Sequence, residues 1–332
     1  MSSTKDIPFS GESICCSQKA NGELCTNLAY YRIKGAASDR KVNVFCGVHC
    51  RPKERLKLPK NPNAEKNREQ TLALHRASIE WTASQNKSKE ERGEITCHKM
   101  RMMKPVPLTN GILNVFPNNK HQNRNDGFGC ASLSPMRLGP VEHGQPNLPR
   151  AETIENYHQF NKCFPVEMDD DGNPLPEFYT RRAAAYADPV PHRHKFDSAV
   201  IKKMNKDFVT AGESLVNKPM FSVHLDRNGA ERRYTYVQSR YFYCKWYEKL
   251  ATRTEDFAKL KQMLLDGYNL CICGYDAYAP NKDLYDHYMD SSRPFGHELV
   301  LYTLLVINNP NHFPWNRFYE ANRKLYDPLS FE

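Results

Sequence analysis

No stretch of 18 apolar residues occurs in this 332-residue chain, so no segment reads as a membrane span. The opening residues MSSTKDIPFSGESICC lack the basic-then-apolar pattern of a secretory signal. These two absences predict an intracellular protein of a reducing compartment, cytoplasm or nucleus, with no membrane partner. No internal repeat is found, which excludes solenoids and arrays. The acidic run MDDDGNP, residues 168–174, lacks the D-x-D-x-D-G spacing of a calcium loop and reads as a turn. Charged residues are neither scarce nor in excess at 26 %, and 39 % hydrophobic content suffices for one sizeable core plus a small accessory module.

What is present is unevenly placed. Residues 1–104 carry 20 Lys and Arg against 11 Asp and Glu, while the remainder carries 27 of each, so the net charge of +9 belongs to the first third. A basic segment on a neutral body predicts a polyanionic partner, nucleic acid above all. Five of the eleven cysteines fall in the first fifty residues. Clustered thiols in a reducing compartment point to metal in place of disulfides.

The cysteine segment reduces to Cys16, Cys25 and the close pair Cys46-x-x-His49. Zinc takes four N or S ligands in a tetrahedron, and a C-x-x-H turn supplies two of them. Cys15 competes with Cys16 for one position and Cys50 with His49 for another. The intervening AYYRI and KVNVF read as hairpin strands, and the pattern is similar to small treble-clef-like zinc modules. Four ligands leave no open position, so the zinc is expected to be structural. The following RPKERLKLPK holds five basic residues and prolines that oppose a helix, suited to lie along a phosphate backbone. It lacks the interleaved aromatics of base readout.

Residues 64–92 predict a helix whose buried side carries Leu72, His75/Arg76, Ile79 and Ala83. Residues 105–129, rich in Pro, Gly and Asn, read as loop or linker. A helix is expected around 197–212, and a hairpin is expected in MFSVHLDRNGAERRYTYV. Two helices follow, the second capped by Thr254 and stopped at Gly267. NLCICGYDAY reads as a strand, and GHELVLYTLLVI as a buried helix or strand. Cys271 and Cys273 alternate on that strand and are assigned to the core. The expected division is 1–60 zinc module with basic tail, 61–111 helical connector and linker, and 112–332 a mostly helical α+β domain.

Within PRAETIENYHQFNKCFP, residues 149–165, the polar groups Glu155, Gln159 and Lys162 stand at i, i+4 and i+7 and share one helical stripe. Ile154, Tyr157, Phe160 and Phe164 form an apolar set beside them. Alone, this describes a wet helix face. Together with SLSPMRLGP upstream and LKQMLLDGYNLCICGYDAY and FGHELVLYTLL downstream, the order of elements resembles the NADAR family of N-glycosidases. That family has an opening F-x-LSNF-x-P-like loop, an E-H-x-x-Q-x-x-K helix, a leucine-rich helix followed by a strand bearing an acid, and a glycine-led last apolar helix. Here Asn156 replaces the usual His, and Ser134-Pro135-Met136 stands for SNF. The wording LSPMRLGPV, GYDAY and PFGHE also resembles uncharacterised proteins of large eukaryotic DNA viruses, which would place the chain in a host cell.

The resemblance implies hydrolysis of an N-glycosidic bond between ribose and a base-like nitrogen, with ADP-ribosylated guanine and a riboflavin-pathway intermediate among the substrates. It implies Glu155 and Asp276 as catalytic carboxylates, and Gln159, Lys162, Asn156, Arg240 and His194 as groups that bind an ADP-ribosyl or ribosyl-base ligand. Arg240 and His194 also fit a helix start and a wet basic loop, and His297 and Glu298 fit either the pocket or a helix N-terminus. The rival class is a non-catalytic, zinc-dependent nucleic-acid-binding or interaction protein.

Overall fold

The computed structural model describes residues 10, 13, 15–19, 21–26, 29–33, 44–46, 48–58, 60–101, 104–194, 219–280 and 283–326. The helix expected around 197–212 lies outside them. The chain divides into two compact units, Met1–His75 and Arg76–Glu332. Among the described residues there are eight α-helices and three sheets, an α+β architecture. None of the described helices is long and apolar enough to cross a membrane.

In the first unit, β1 (Tyr31–Ile33) pairs antiparallel with β2 (Arg55–Lys57), and Tyr31 bridges Phe45. Helix α1 (Ala64–Ser88) starts here and continues into the second unit. Its buried positions are Leu72, His75, Ile79 and Ala83, the set that the periodicity predicts, while Leu74 and Trp81 stay exposed.

The second unit is built on a four-stranded sheet in the order β3-β9-β4-β5, every neighbouring pair parallel. Its strands are β3 (Ile95–Lys99), β4 (Ile112–Phe116), β5 (Phe128–Gly129) and β9 (Asn269–Gly274). Two of them fall in segments that the sequence patterns read as connector and as loop. Residues 95–99 pair with the central strand, and ILNVF lies inside the segment read as loop. Strand β9 is covered on both faces. Leu270 and Ile272 join the main core, while Cys273 joins Met100, Val106 and Phe116, with Cys271 packed against them. Successive strand residues alternate sides, so the C-x-C pair shares one face.

Between β5 and β9 run α2 (Ile154–Phe160), β6 (Lys162–Cys163), α3 (Pro176–Ala187), the hairpin β7 (Phe221–Leu225) and β8 (Glu231–Tyr234), α4 (Tyr236–Ala251) and α5 (Glu255–Leu265). Strands β6, β7 and β8 form the third sheet. Thr254 caps α5 by accepting from the Phe257 amide at 3.1 Å, and Gly267 just beyond it has φ +90°, a conformation that favours glycine. The last α-helices among the described residues are α6 (Leu284–Met289), α7 (His297–Val306) and α8 (Pro314–Ala321). Trp246, Tyr247, Leu260, Leu264, Leu299 and Trp315 are buried in one core, each contributing about 1.5–3 kcal/mol of apolar burial. That core fixes α4 and α7 against the sheet and so fixes where the loops at its carboxyl end converge.

Candidate functional site

Helix α2 is held at its start by the loop that precedes it. Thr153 accepts from the Asn156 amide at 3.1 Å, and the Ile154 and Glu155 amides donate to the carbonyls of Leu138 and Pro135 at 2.8 and 3.0 Å. The helix is not a wet surface element, because Ile154, Glu155, Asn156, Tyr157 and Phe160 are all buried. Glu155 is 9 % exposed, its carboxylate turned into the protein. Gln159 Nε2 donates to Glu155 Oε1 at 3.1 Å, and Lys162 Nζ donates to Gln159 Oε1 at 3.4 Å.

Lys162 reaches this row from a strand, which corrects the expected helical stripe. The helix stops at Phe160, and Lys162 pairs with Ser222 of β7. The competing bonds are those of Asn161: its carbonyl accepts from the Val223 amide at 2.8 Å, and its Oδ1 accepts from the Tyr186 hydroxyl at 2.7 Å. They draw the backbone into the sheet. Crowding of the Lys162 ammonium by protein lowers its pKa to about 8, against the opposing pull of Glu155, and Arg193 lowers it further. Arg193 itself lies 3.9 Å from Glu155 Oε1.

Asp276 enters from the loop after β9. Its carboxyl is held above the usual range, first by burial and next by the Glu298 carboxylate, while His297, Lys99 and Arg193 pull the other way. Lys162 feels the charges of both Glu155 and Asp276, so the two expected acids act on one ammonium. Glu298, in the first turn of α7, is 2 % exposed. Any side chain at Gly274 would collide with the Glu298 carboxylate. The place a Gly296 Cβ would take is 2.9 Å from Glu298 Oε2 and 3.5 Å from Asp276 Oδ2, so both acids crowd one glycine. His297 Nε2 donates to the Pro117 carbonyl at 2.8 Å, and its Nδ1 stands 3.2 Å from Glu298 Oε2. Attraction across that second contact requires a proton on Nδ1 or on the carboxyl. Glu298 Oε2 accepts no hydrogen bond among the described residues.

These groups gather where parallel strands end: Lys99 as the last residue of β3, Pro117 after β4 and Asp276 after β9. Open parallel sheets place ligands at this carboxyl edge. Four cavities beside the described residues of this unit have walls that include neither Glu155 nor Asp276. One of them, of about 630 Å³, lies between Arg137, Leu138, Leu250 and Arg253. One of about 470 Å³ lies beside Lys99 and Ala279.

Three expected ligand-binding residues have other tasks. The Arg240 guanidinium is 3 % exposed and donates to the carbonyls of Tyr288, Asp290 and Arg293, pinning the segment after α6. The His194 side chain is stacked on Phe160, with its Nε2 3.1 Å from Glu167 Oε1. Asn156 is fully buried: its amide nitrogen donates to the carbonyls of Asp188 and Val190 at 3.0 and 2.9 Å, and its Oδ1 accepts from the His192 amide at 2.6 Å. It therefore staples the strand of chain that delivers Arg193 to Glu155, a positioning task. Lys99 escaped the sequence reading, and Arg193 entered it only as part of the basic loop 192–195, since nothing in the spacing links either to Glu155.

The first unit holds a separate cluster. Ligand atoms of Cys15, Cys25, Cys46 and His49 all lie within 4.8 Å of one another and could hold a metal ion. His49 Nδ1 is 3.5 Å from both Cys15 Sγ and Cys46 Sγ, and Cys25 Sγ is 4.0 Å from Cys46 Sγ. Cys15 takes the position for which Cys16 was the first choice. The Cys16 amide donates to the Val44 carbonyl at 2.9 Å, and the Cys16 side chain is exposed. Adjacent residues of extended chain face opposite sides, so only one of the pair can point inward. Cys50 is buried but stands outside the cluster.

No family model, no curated protein and no solved structure matches the chain.

Proposed function

We propose that the second unit is an N-glycosidase that hydrolyses a ribosyl-base or ADP-ribosyl bond. The observation that carries this reading is the buried Glu155 carboxylate, held by Gln159 and facing Lys162 and Arg193, with Asp276 acting on the same ammonium. The NADAR-like order of elements supports it from the sequence side.

Cleaving an N-glycosidic bond requires stabilised positive charge on the ribose, a placed water and a proton for the leaving base. Glu155 supplies the negative charge beside the ribose and orients the water. Gln159 fixes the rotamer of that carboxylate. Asp276 keeps its proton to higher pH than an ordinary aspartate and is the donor to the leaving nitrogen. Lys162 and Arg193 place positive charge beside Glu155 and meet anionic parts of the substrate.

In the first unit the ion is zinc. A tetrahedron with Zn–S of about 2.3 Å and Zn–N of about 2.0–2.1 Å sets S···S near ~3.8 Å and S···N near ~3.6 Å. The observed 4.0 and 3.5 Å fit that set. Three thiolates and one imidazole would complete the shell, which makes the zinc structural and assigns it no part in the reaction.

The second reading is a non-catalytic zinc-dependent nucleic-acid-binding or interaction protein. It is favoured by exposed Arg51, Lys53, Lys57 and Lys60 along and beside β2. One experiment separates the two. DNA carrying ADP-ribosylated guanine is incubated with the wild type and with Glu155→Gln, and released ADP-ribose is measured. Release by the wild type that the variant loses supports the glycosidase. Absence of release from any ribosyl substrate, together with salt-sensitive DNA binding, supports the second reading.

A further inference from the structure

We infer that the interior of the second unit holds a binding site for one small monovalent anion, a halide such as chloride, against the buried Arg182 guanidinium. The site uses none of the residues assigned to the glycosidase and does not rest on that reading. Arg182, on α3, is 1 % exposed, and a cation so deep in protein needs a counter-charge. Its Nη1 donates to the Val223 carbonyl at 2.9 Å, while Nε and Nη2 have no hydrogen-bond partner and no carboxylate pairs with it among the described residues. The Phe178 and Tyr179 rings stand 5.5 Å from the guanidinium carbon, an attraction that offsets part of the charge and supplies no acceptor oxygen.

The neighbours of Arg182 repeat the pattern. Gln145 Nε2 and Asn161 Nδ2 are also buried donors without a partner among the described residues. Asn161 and Arg182 both bond the Val223 backbone, and the Gln145 and Asn161 amides both act on the hydroxyl of Tyr186, one turn along α3 from Arg182. The acceptor atoms of these groups are already engaged. Gln145 Oε1 accepts from the Leu225 amide at 2.8 Å, Asn161 Oδ1 from the Tyr186 hydroxyl at 2.7 Å, and His143 Nδ1 from the Gln145 amide at 3.0 Å. What remains is a set of N–H groups around a positive charge. A water among them would still need acceptors for its own hydrogens, whereas an anion only accepts. Size then selects among anions. The cavity with Gln145, His143, Tyr157 and His224 in its wall measures about 10 Å³, room for one water-sized guest and too little for phosphate, sulfate or a carboxylate ligand. The Arg182 charge reaches this wall: burial first and then that charge push the His224 pKa well below its ordinary value. Asp226 also borders the cavity, but its carboxylate is met by Arg232 at 3.1 Å and by the Asn228 and Ala230 amides.

The test is thermal melting of the full-length protein in sodium chloride against sodium gluconate at equal ionic strength, followed by tryptophan fluorescence. All three tryptophans, Trp81, Trp246 and Trp315, belong to the second unit, so the first unit does not contribute to the signal. Chloride fits the cavity and gluconate does not. We expect the wild-type midpoint to rise by about 5–10 °C as chloride reaches a hundred times its dissociation constant. Arg182→Met removes the charge and should remove the chloride dependence. Gln145→Glu keeps an oxygen for the Leu225 amide and puts a negative charge in the donor set. It should melt no lower than the wild type in gluconate and be indifferent to chloride, and it carries the test if Arg182→Met does not fold. Bromide should substitute for chloride, with its anomalous scattering peak beside the Arg182 guanidinium in crystals. Equal wild-type midpoints in chloride and gluconate overturn the site and leave Arg182 to water. A chloride effect retained by every variant that folds overturns it as well, because the ion would then act on exposed basic surface.

Discussion

Gln159 Nε2 donates to Glu155 Oε1 at 3.1 Å, while the other end of the same amide accepts from Lys162 at 3.4 Å. An amide in this position orients a carboxylate without adding charge, and it separates the carboxylate from an ammonium that would otherwise close on it. Glu155→Gln keeps size and shape but removes the negative charge that the ribose cation needs. We expect kcat to fall by about 10²–10⁴-fold with the melting temperature unchanged within a few degrees. Single-turnover release of the base from a ribosyl substrate measures this, and an unchanged rate removes Glu155 from the reaction.

The pH profile reports on Lys162. Its pKa stands near 8 in the folded protein, below the ordinary lysine value, because protein crowds the ammonium. Activity that requires the charged form should decline as pH rises through about 8. Lys162→Arg should carry the active range to higher pH, because guanidinium stays protonated. Stability has the opposite sign. Between about 8 and the unfolded lysine pKa of about 10.4, the unfolded chain binds more protons than the folded one, so stability from this group rises with pH. Urea midpoints measured across that window should rise for the wild type, and by less for Lys162→Met.

Asn156 offers a stability test that also touches the site. Its side chain satisfies the Asp188 and Val190 carbonyls and the His192 amide from a fully buried position. Asn156→Ala leaves these groups to find other partners, at a cost of about 2–4 kcal/mol in all. The urea midpoint should fall with an unchanged slope, and turnover should fall as well, because the stapled chain leads to Arg193.

The sequence patterns read these elements unequally, for physical reasons. Helix α5 is legible because Thr254, the spacing of Phe257, Leu260 and Leu264, and Gly267 are local signals that act within one or two turns. Strands β3 and β4 are not. A parallel strand pairs with a partner far along the chain, so no turn motif announces it, and ILNVF sits among the prolines and asparagines of a loop. Its continuous apolar run was the available signal. Glu155 and Asp276 were named through the family resemblance, while their common action on the Lys162 ammonium is set by tertiary packing that no local pattern announces. The choice between Cys15 and Cys16 is of the same kind: both residues carry the same chemistry, and only the direction of the backbone separates them.

That choice gives the clearest test of the metal centre. Cys15→Ser removes one of four inward ligands, while Cys16→Ser changes an exposed thiol. The wild type and Cys16→Ser should purify with one zinc per chain by elemental analysis, and Cys15→Ser should lose it or hold it weakly. Structural zinc in small modules binds with an apparent ~10–16 kcal/mol near neutral pH, so a chelator strong enough to remove it should unfold the first unit. Cobalt substitution adds an optical readout, because three thiolates and one imidazole in a tetrahedron give intense visible absorption that a three-ligand variant would alter. The basic strip depends on the same fold. If it holds phosphates through β2, DNA binding should fall with salt, and Lys53→Gln/Lys57→Gln should reduce the slope of log K against log salt by about 2 at most. Loss of zinc in Cys16→Ser with retention in Cys15→Ser would reverse the ligand assignment, and DNA binding that persists unchanged after chelation would detach the strip from the metal.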